Sequence, residues 1–255
     1  MSEAWIIDAA RTPRGVGKQG KGALWEIHPQ KLLSTVLSAL AERNSLTTEE
    51  IDDVIISCSS QFKKQGMCIG RMAALDAGYS NKASGVTLDR FCGGGISAVN
   101  MAAASIMSGM EDLIVAGGVE MMSYTSAEGT PNPLDAGNLD LRNAHPQTSV
   151  GIAADSIATE EGCSRSELDA FSAESRRRGG EALKNGAFSK SRIPVYRPDG
   201  TLALDTEEFP RPQTTAEQLA NLNPVFGNFM DLPFFDSGLT FREMVAKKWP
   251  DLEIE

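Results

Sequence analysis

The spacing of hydrophobic residues alternates, over the first 118 positions, between short continuous runs and helical periodicity. The continuous runs predict buried strands at residues 4–9, 54–58, 86–88 and 113–116. Helical spacing predicts helices at residues 29–44, 67–77 and 96–108, with a short helical turn at residues 47–50. Strands that alternate with helices in this way are typical of a doubly wound α/β layer, so residues 1–118 are predicted to form an α/β domain around a buried parallel sheet.

The pattern changes after Gly118. Residues 123–147 are rich in Gly, Pro, Asn and Asp and show almost no periodicity, which predicts a loop and a domain boundary. Farther on, helical spacing at residues 149–161 and a capping box at residues 164–167 predict two helices, the second of which ends at Gly186. We therefore expect residues 119–255 to form a second, mostly helical domain, with a strand near residues 193–196.

One cysteine stands at the turn between a predicted strand and a predicted helix. The sequence there is DRFCGGG, in which Cys92 is followed by Gly93, Gly94 and Gly95. The first N–H groups of a helix have no partner and form the positive end of its dipole, which favours the thiolate of Cys92. The three glycines remove side chains from the rim, so that a thioester carbonyl can approach the sulfur. Cys92 is thus a candidate nucleophile; the alternative is a buried, inert cysteine.

Four stretches of the sequence, in order, resemble the thiolases, which are acyl-CoA C-acyltransferases. They are DAARTPRG at residues 8–15, DRFCGGGISAVNMAAASI followed by AGGVEMMS, SVGIAADSIATEEGCSRSELDAFSAESRRR at residues 149–178, and DTEEFPRPQTTAEQLANLNPVF at residues 205–226. The resemblance implies a layered α-β-α fold with an N-terminal domain and a loop domain that covers the nucleophile and holds CoA; the C-terminal domain is absent from this sequence. It also implies thiolytic cleavage of 3-ketoacyl-CoA, or the reverse condensation, through an acyl-enzyme on Cys92.

The same resemblance assigns further residues to the binding of CoA. Arg211 matches the arginine that approaches the CoA nucleotide, and a planar guanidinium suits phosphate or adenine. Ser149 and Val150 fall where the family has a pocket-lining pair, and Gln218 falls where a serine contacts the cofactor. CoA and acyl-CoA are expected as substrates, with no permanently bound cofactor and no metal.

The family chemistry also needs a histidine and a second cysteine, which thiolases carry in Asn-Glu, Gly-His-Pro and Cys-x-Gly-Gly segments of their second half. None of these segments is present in this sequence, and the contexts of His28 and His145 indicate surface or helix-capping residues. We therefore expect a second thiolase-like polypeptide to supply the His and the Cys and to complete the open sheet, with a dimer of such pairs as the assembly. The alternative is a non-catalytic scaffold or acyl-CoA-binding subunit with the same fold.

Composition and charge restrict the classes of partner and the cellular location that we expect for the protein. A chain of 255 residues with 41% apolar residues can bury a sizeable core, and a net charge of −10 with a pI near 4.8 argues against nucleic acid or an anionic membrane as a partner. No run approaches the roughly 18 apolar residues that span a bilayer, and residues 1–3 lead directly into a predicted strand instead of a leader peptide. The four cysteines have no CxxC spacing, which indicates reduced thiols and neither zinc nor a redox pair. The protein is expected in the cytoplasm.

Overall fold

Three parallel strands lie at the centre of the computed structural model, which describes residues 3–128, 134–145, 147–234 and 237–252. They are β1 (Asp53–Ser57), β2 (Val86–Leu88) and β3 (Ile114–Gly118), in the spatial order β2, β1, β3. Ile55 of β1 pairs with Val86 on one side and with Ala116 on the other. The predicted parallel sheet and α/β fold are confirmed, with strand bounds displaced by one or two residues.

Contacts between residues group the chain into two compact units. The first unit contains residues 1–129 and 186–209, and the second contains residues 130–185 and 210–255. Residues 186–209 add a small antiparallel sheet to the first unit, formed by β4 (Val195–Tyr196) and β5 (Leu202–Leu204). A single domain boundary after residue 118 does not account for residues 186–209, which belong to the first unit. The assignment of residues 1–118 and 119–255 to the N-terminal and loop domains of the family stays a prediction.

The helices of the first unit begin with α1 (Pro29–Arg43), which keeps nearly the predicted bounds. Proline suits the first turn of a helix, and Nδ1 of His28 accepts a hydrogen bond from the N–H of Gln30 at 3.3 Å. The capping role predicted for His28 is confirmed. The remaining helices of this unit are α2 (Ile69–Asp76), α3 (Gly94–Ser108) and α4 (Met122–Glu128), with single 3-10 turns at Thr48–Glu50, Lys63–Gln65 and Phe91–Gly93.

One face of the central sheet, which we call the covered face, packs against α1 and α2. Val54 and Ile56 of β1 point to this face because successive side chains of a strand alternate between the two faces. Both are at most 1% exposed, as is Leu37 of α1. The buried side chains of this core are Leu33, Leu37, Ile51, Val54, Ile56, Ala73, Ala74, Tyr79, Ala83 and Val115.

The opposite face of the sheet, which we call the α3 face, packs against α3 through a small cluster of Ile55, Ala98 and Ala102. The other side of α3 is apolar but exposed, at Ile96, Val99, Met101 and Met107. The window Phe91–Ser108 therefore has a mean hydropathy of 1.2 over 18 residues, enough by length and composition to cross a membrane. The prediction that no run approaches this length is wrong, because both sides of α3 are apolar.

Residues 4–9 do not form the strand that their hydrophobic run predicts. Trp5, Ile6 and Ile7 are 78%, 81% and 71% exposed. Among the described residues, no strand pairs with this segment or with the outer edge of β3. A strand needs a neighbour for its backbone N–H and C=O groups, so a hydrophobic pattern without that neighbour does not make one.

Two glutamates anchor the glycine-rich loop that follows this segment. Glu207 is buried and accepts hydrogen bonds from Nη1 of Arg11 at 2.6 Å and from the N–H of Arg14 at 3.0 Å. Burial raises the pKa of Glu207, but the bonds from Arg11 and Arg14 outweigh burial and hold that pKa below its usual range. Glu208 accepts from the N–H of Val16 at 2.8 Å. These bonds connect the two chain segments of the first unit.

The second unit is mostly helical, as predicted. Its helices are α5 (Leu139–Ala144), α6 (Val150–Glu160), α7 (Arg165–Lys184), α8 (Ala216–Ala220) and α9 (Phe241–Lys248). The predicted capping box at the start of α7 is present, with Ser164 and Glu167 bonded to each other's backbone N–H. Residues 123–147, predicted as a loop, contain α4 and α5, the latter capped by Asn138; residues 129–133 and 146 of that stretch lie outside the described residues.

Candidate active site

Cys92 lies in the 3-10 turn Phe91–Gly93, between the end of β2 and the start of α3. The strand, turn and helix predicted around this residue are therefore present. Cys92 is exposed to solvent, so the alternative of a buried cysteine does not hold. Exposure permits a reaction with a bulky substrate, and the nucleophilic role of Cys92 stays a prediction.

The backbone before Cys92 turns sharply. Phe91 has a φ of 47°, in the left-handed region that non-glycine residues rarely adopt. The side chain of Asp89 supports this turn, because its Oδ1 accepts a hydrogen bond from the N–H of Phe91 at 2.8 Å. Strained backbone of this kind is concentrated at functional sites, where the surrounding structure maintains it. The turn places Cys92 ahead of the first residue of α3.

Two of the three glycines after Cys92 border open space. A Cβ atom added to Gly95 would meet no atom within 4 Å, and one added to Gly93 would meet only Cγ of Arg90, at 3.9 Å. No side chain caps the start of α3. Glycine at residues 93 and 95 thus keeps the surface next to Cys92 clear, as predicted, whereas Gly94 is buried and the same role predicted for it is wrong.

A polar network lies at the ends of β1 and β3, in which Gln65 is buried and Glu120 is exposed. Gln65 donates from Nε2 to Oε1 of Glu120 at 2.8 Å and accepts from the N–H of Met121 at 2.7 Å. Oε2 of Glu120 accepts from the N–H of Ser59 at 2.9 Å. Burial, and then the charge of Glu120, raise the pKa of the Cys58 thiol to about 12. Cys58 therefore stays protonated and is not a second reactive thiol of this unit.

Sequence reasoning did not identify Gln65 or Glu120. The available signal was a glutamate two positions after the Gly117-Gly118 end of a predicted strand. The partner Gln65 lies 55 positions away along the chain, and only the paired strands bring the two together.

Ser149 and Val150 lie at the start of α6 in the second unit. Oγ of Ser149 caps this helix by accepting from the N–H of Ile152 at 3.4 Å. Val150 is the first residue of the helix and is 81% exposed. The hydroxyl of Ser149 thus has a structural role, and contact of either residue with CoA stays a prediction.

Arg211 lies shortly before α8, and Gln218 lies within this helix. Arg211 is exposed, and its carbonyl accepts from the N–H of Thr214 at 3.2 Å. Gln218 forms a capping box with Thr215, accepting from its N–H at 3.1 Å. The turn built by Thr214 and the cap at Thr215 hold this segment in shape, and the roles of Arg211 and Gln218 in CoA binding stay predictions.

A shallow depression of about 510 Å³ lies beside this segment, between residues 170–177 of α7 and residues 212–216. Arg177 of the basic run on α7 does not provide unpaired charge there, since it bonds Glu174 and Glu181, both at 2.6 Å, whereas Arg176 donates from Nη1 to Oγ1 of Thr214 at 3.0 Å. The bonds from Arg177 and from the neighbouring Arg178 lower the pKa of Glu174 to about 2. The predicted solvated helix face is confirmed for Arg177 and Arg178 but not for Arg176, which is half-buried and bonded to Thr214.

Comparisons with known proteins agree with this architecture. The family described as "Thiolase, N-terminal domain" matches residues 4–229. A 3-ketoacyl-CoA thiolase of Idiomarina loihiensis is 34% identical over 235 residues, and a beta-ketoadipyl-CoA thiolase of Pseudomonas aeruginosa is 35% identical over 244 residues. These matches cover 89% and 88% of this chain but only 58% and 60% of the relatives.

A solved structure supports the same assignment. The dimeric peroxisomal thiolase of Saccharomyces cerevisiae superposes with a TM-score of 0.79 at 27% identity. The superposition covers 88% of this chain and 58% of the yeast protein. The chain thus spans somewhat more than half the length of the thiolases that it matches. From its fold, its sequence and the turn that carries Cys92, this chain belongs to the thiolase family and corresponds to its N-terminal part.

Proposed function

We propose that this chain is the nucleophile-bearing half of an acyl-CoA C-acyltransferase. The observation that carries the proposal is the exposed Cys92, on a strained turn ahead of an uncapped helix, in a chain of the thiolase family. The names of its relatives, a 3-ketoacyl-CoA thiolase and a beta-ketoadipyl-CoA thiolase, support a CoA thioester as the substrate.

The proposed reaction proceeds in two steps. The Cys92 thiolate attacks the C3 carbonyl of a 3-ketoacyl-CoA, the C2–C3 bond breaks, and C2 takes up a proton, so that acetyl-CoA leaves and a shortened acyl thioester remains on Cys92. The thiolate of free CoA then attacks that thioester, releasing the shortened acyl-CoA and restoring the Cys92 thiolate. The reverse sequence condenses two CoA thioesters and requires a base at C2.

The acid and base of this chemistry are proposed to come from a second thiolase-like polypeptide that carries the His and the Cys. His28 caps α1, and His145 lies at the end of α5, which supports a source other than these two residues. The exposed apolar side of α3, the exposed side chains of Trp5, Ile6 and Ile7, and the outer edge of β3, with which no described strand pairs, support a polypeptide that adds a strand and covers the helix. A dimer of such pairs is proposed by analogy with the dimeric yeast thiolase.

Binding of the CoA nucleotide is proposed for Arg211, with Ser149, Val150 and Gln218 as further contacts. Arg211 is exposed and lies on a segment that a turn and a helix cap hold in shape, which suits a donor fork for phosphate. Location in the cytoplasm is also proposed, supported by four cysteines that are free of disulfides.

The direct test is a mass spectrum of the purified chain after incubation with acetyl-CoA or acetoacetyl-CoA. An acyl adduct on the peptide that contains Cys92, absent in the Cys92→Ser variant, is the expected result. Cys163 is also exposed and provides the reference for unspecific acylation. Equal labelling of Cys92 and Cys163 would favour the alternative of a non-catalytic acyl-CoA-binding subunit.

The second polypeptide has its own test. This chain is expressed alone and together with the part of the Idiomarina loihiensis thiolase that it does not match, and solubility and thiolysis are compared. Co-purification and a gain in thiolysis are expected. Full thiolysis by the chain alone, as a soluble monomer, would contradict the proposed need for a second polypeptide.

A further inference from the structure

The first turn of α3 lies directly against the end of β1. A Cβ atom added to Gly94 would lie 1.7 Å from Oγ of Ser57 and 2.7 Å from its Cβ. Ser57 is the last residue of β1 and is only 6% exposed. The side chain of Ser57 therefore occupies the space that a side chain at residue 94 would need.

Ser57 cannot leave this space. Rotation about χ1 moves its Oγ, but its Cβ would still lie 2.7 Å from the added atom, far inside the roughly 3.5 Å at which carbon atoms pack. The backbone of Ser57 is held in the sheet, where its carbonyl accepts from the N–H of Val119 at 3.0 Å. The next atom near Gly94 is Cδ1 of Leu88, at an ordinary 3.8 Å. Without the Ser57 side chain, the same space would admit a methyl group on residue 94.

A displacement of Gly94 would be transmitted to Cys92. The N–H of Gly94 bonds to the carbonyl of Phe91 and so closes the 3-10 turn that contains Cys92. Phe91 already has a left-handed backbone, so the turn has little freedom to absorb a shift without changing the placement of Cys92.

We propose that Ser57 and Gly94 are a coupled pair that positions Cys92. One small side chain fills the space between β1 and α3; here the strand provides it, and residue 94 has to be glycine. Ser57 is a positioning residue that acts through Gly94 and the turn. The consequence for catalysis rests on the proposed function of Cys92, whereas the packing of the pair does not.

The experiment is a double-mutant cycle in the full chain, with the variants Gly94→Ala, Ser57→Gly and the two combined. Gly117→Ala is the matched control, because a Cβ atom at this glycine of β3 would meet nothing within 4 Å. The rate of alkylation of Cys92 by iodoacetamide is measured from pH 6 to pH 9 by peptide mass spectrometry, with Cys163 as the internal reference. The melting temperature of each variant is measured in parallel.

Gly94→Ala is expected to lower the alkylation rate of Cys92 about tenfold and to lower the melting temperature, whereas the double variant regains the rate of Ser57→Gly to within about twofold. Cys163 keeps its rate throughout. A Gly94→Ala variant that alkylates like the wild type, or a double variant no better than Gly94→Ala, would overturn the proposal. If Gly94→Ala does not fold, recovery of soluble protein in the double variant supports the pair and continued failure overturns it.

The two proposals fail in different ways. If Cys92 of the wild type reacts no faster than Cys163, the nucleophile assignment is wrong, and the melting temperatures still decide whether Ser57 and Gly94 are coupled. If Cys92 reacts fast in the wild type and equally fast in Gly94→Ala, the positioning role is wrong and the nucleophile assignment remains.

Discussion

The covered face and the α3 face of the central sheet differ in how far they are buried. The covered face and the helices α1 and α2 share a core of ten buried side chains, whereas the core of the α3 face has, among the described residues, the three buried side chains Ile55, Ala98 and Ala102. The far side of α3 leaves large apolar residues exposed, among them Ile96 at 72%. The helix that follows Cys92 thus buries a smaller share of its residues than α1 or α2 does. The part of the first unit that carries the candidate chemistry is also the part that leaves large apolar side chains exposed.

Two cysteines show the same contrast at the scale of single residues. Cys58 directly follows β1 and is buried, with a pKa raised to about 12. Cys92 lies in the 3-10 turn just before α3 and is exposed. Burial keeps the first thiol neutral, while the turn before α3 presents the second to solvent.

The largest expected effect is the loss of thiolysis when Cys92 is replaced. Cys92→Ser should lower thiolysis by the proposed assembled enzyme at least about 10³-fold, because a serine hydroxyl is a much weaker acid than a thiol and is far less readily converted to the attacking anion. Thiolysis is measured by the loss of acetoacetyl-CoA absorbance, with Cys163→Ser as the control of unchanged activity. Retention of the wild-type rate in Cys92→Ser would remove Cys92 from the mechanism.

The second prediction compares how much one alanine substitution at each face lowers the free energy of unfolding. Leu37→Ala on the covered face should lower the free energy of unfolding by about 3 kcal/mol, because it leaves a cavity in a closed core. Ile96→Ala on the exposed side of α3 should change it by less than about 0.5 kcal/mol in the isolated chain. Urea denaturation followed by circular dichroism measures both variants. Equal losses would mean that the far side of α3 is already covered.

The third prediction concerns Arg211, which lies in the second unit and belongs to neither face of the sheet. Arg211→Ala should raise KM for CoA about tenfold and leave kcat nearly unchanged, because the nucleotide binds away from the reacting carbonyl. Steady-state kinetics with varied CoA measure the two constants. A fall in kcat at constant KM would assign Arg211 to structure instead of substrate binding.

The smallest effect concerns the buried thiol of Cys58, whose folded pKa of about 12 exceeds the ordinary value of 9.0. A raised pKa means that stability is fully present below pH 9 and is lost as the pH rises toward 12, because the unfolded chain loses the proton first. Between pH 8 and pH 10 this loss amounts to about 1 kcal/mol. Urea titrations at both pH values should show a smaller loss in Cys58→Ala.

The control for this pH dependence is Val54→Ala, which shortens another buried side chain of the same region without removing a titratable group. It should lower stability equally at pH 8 and pH 10. An unchanged pH dependence in Cys58→Ala would show that the thiol is not the group responsible; Tyr79, whose pKa burial also raises to about 12, would be the next candidate.

The sequence by itself determined the local elements of this protein and the setting of Cys92. Helical periodicity, Pro29, the capping box at Ser164 and the run at Val86–Leu88 depend on interactions between residues close along the chain. The same holds for the turn before α3, where glycines and a cysteine stand between a strand and a helix. Such signals can be read without a partner because their physical cause lies within a few residues.

The tertiary structure alone decided which of these signals became structure and which side chains meet. The hydrophobic run at residues 4–9 follows the local pattern of a strand, yet its large side chains are exposed and no strand within the described ranges pairs with it. Gln65 reaches Glu120, and Ser57 fills the space beside Gly94, only because parallel strands bring distant positions together. Hydrogen bonds and steric contacts act over a few ångströms in space regardless of separation along the chain, so the positions they couple are fixed by packing and not by sequence pattern.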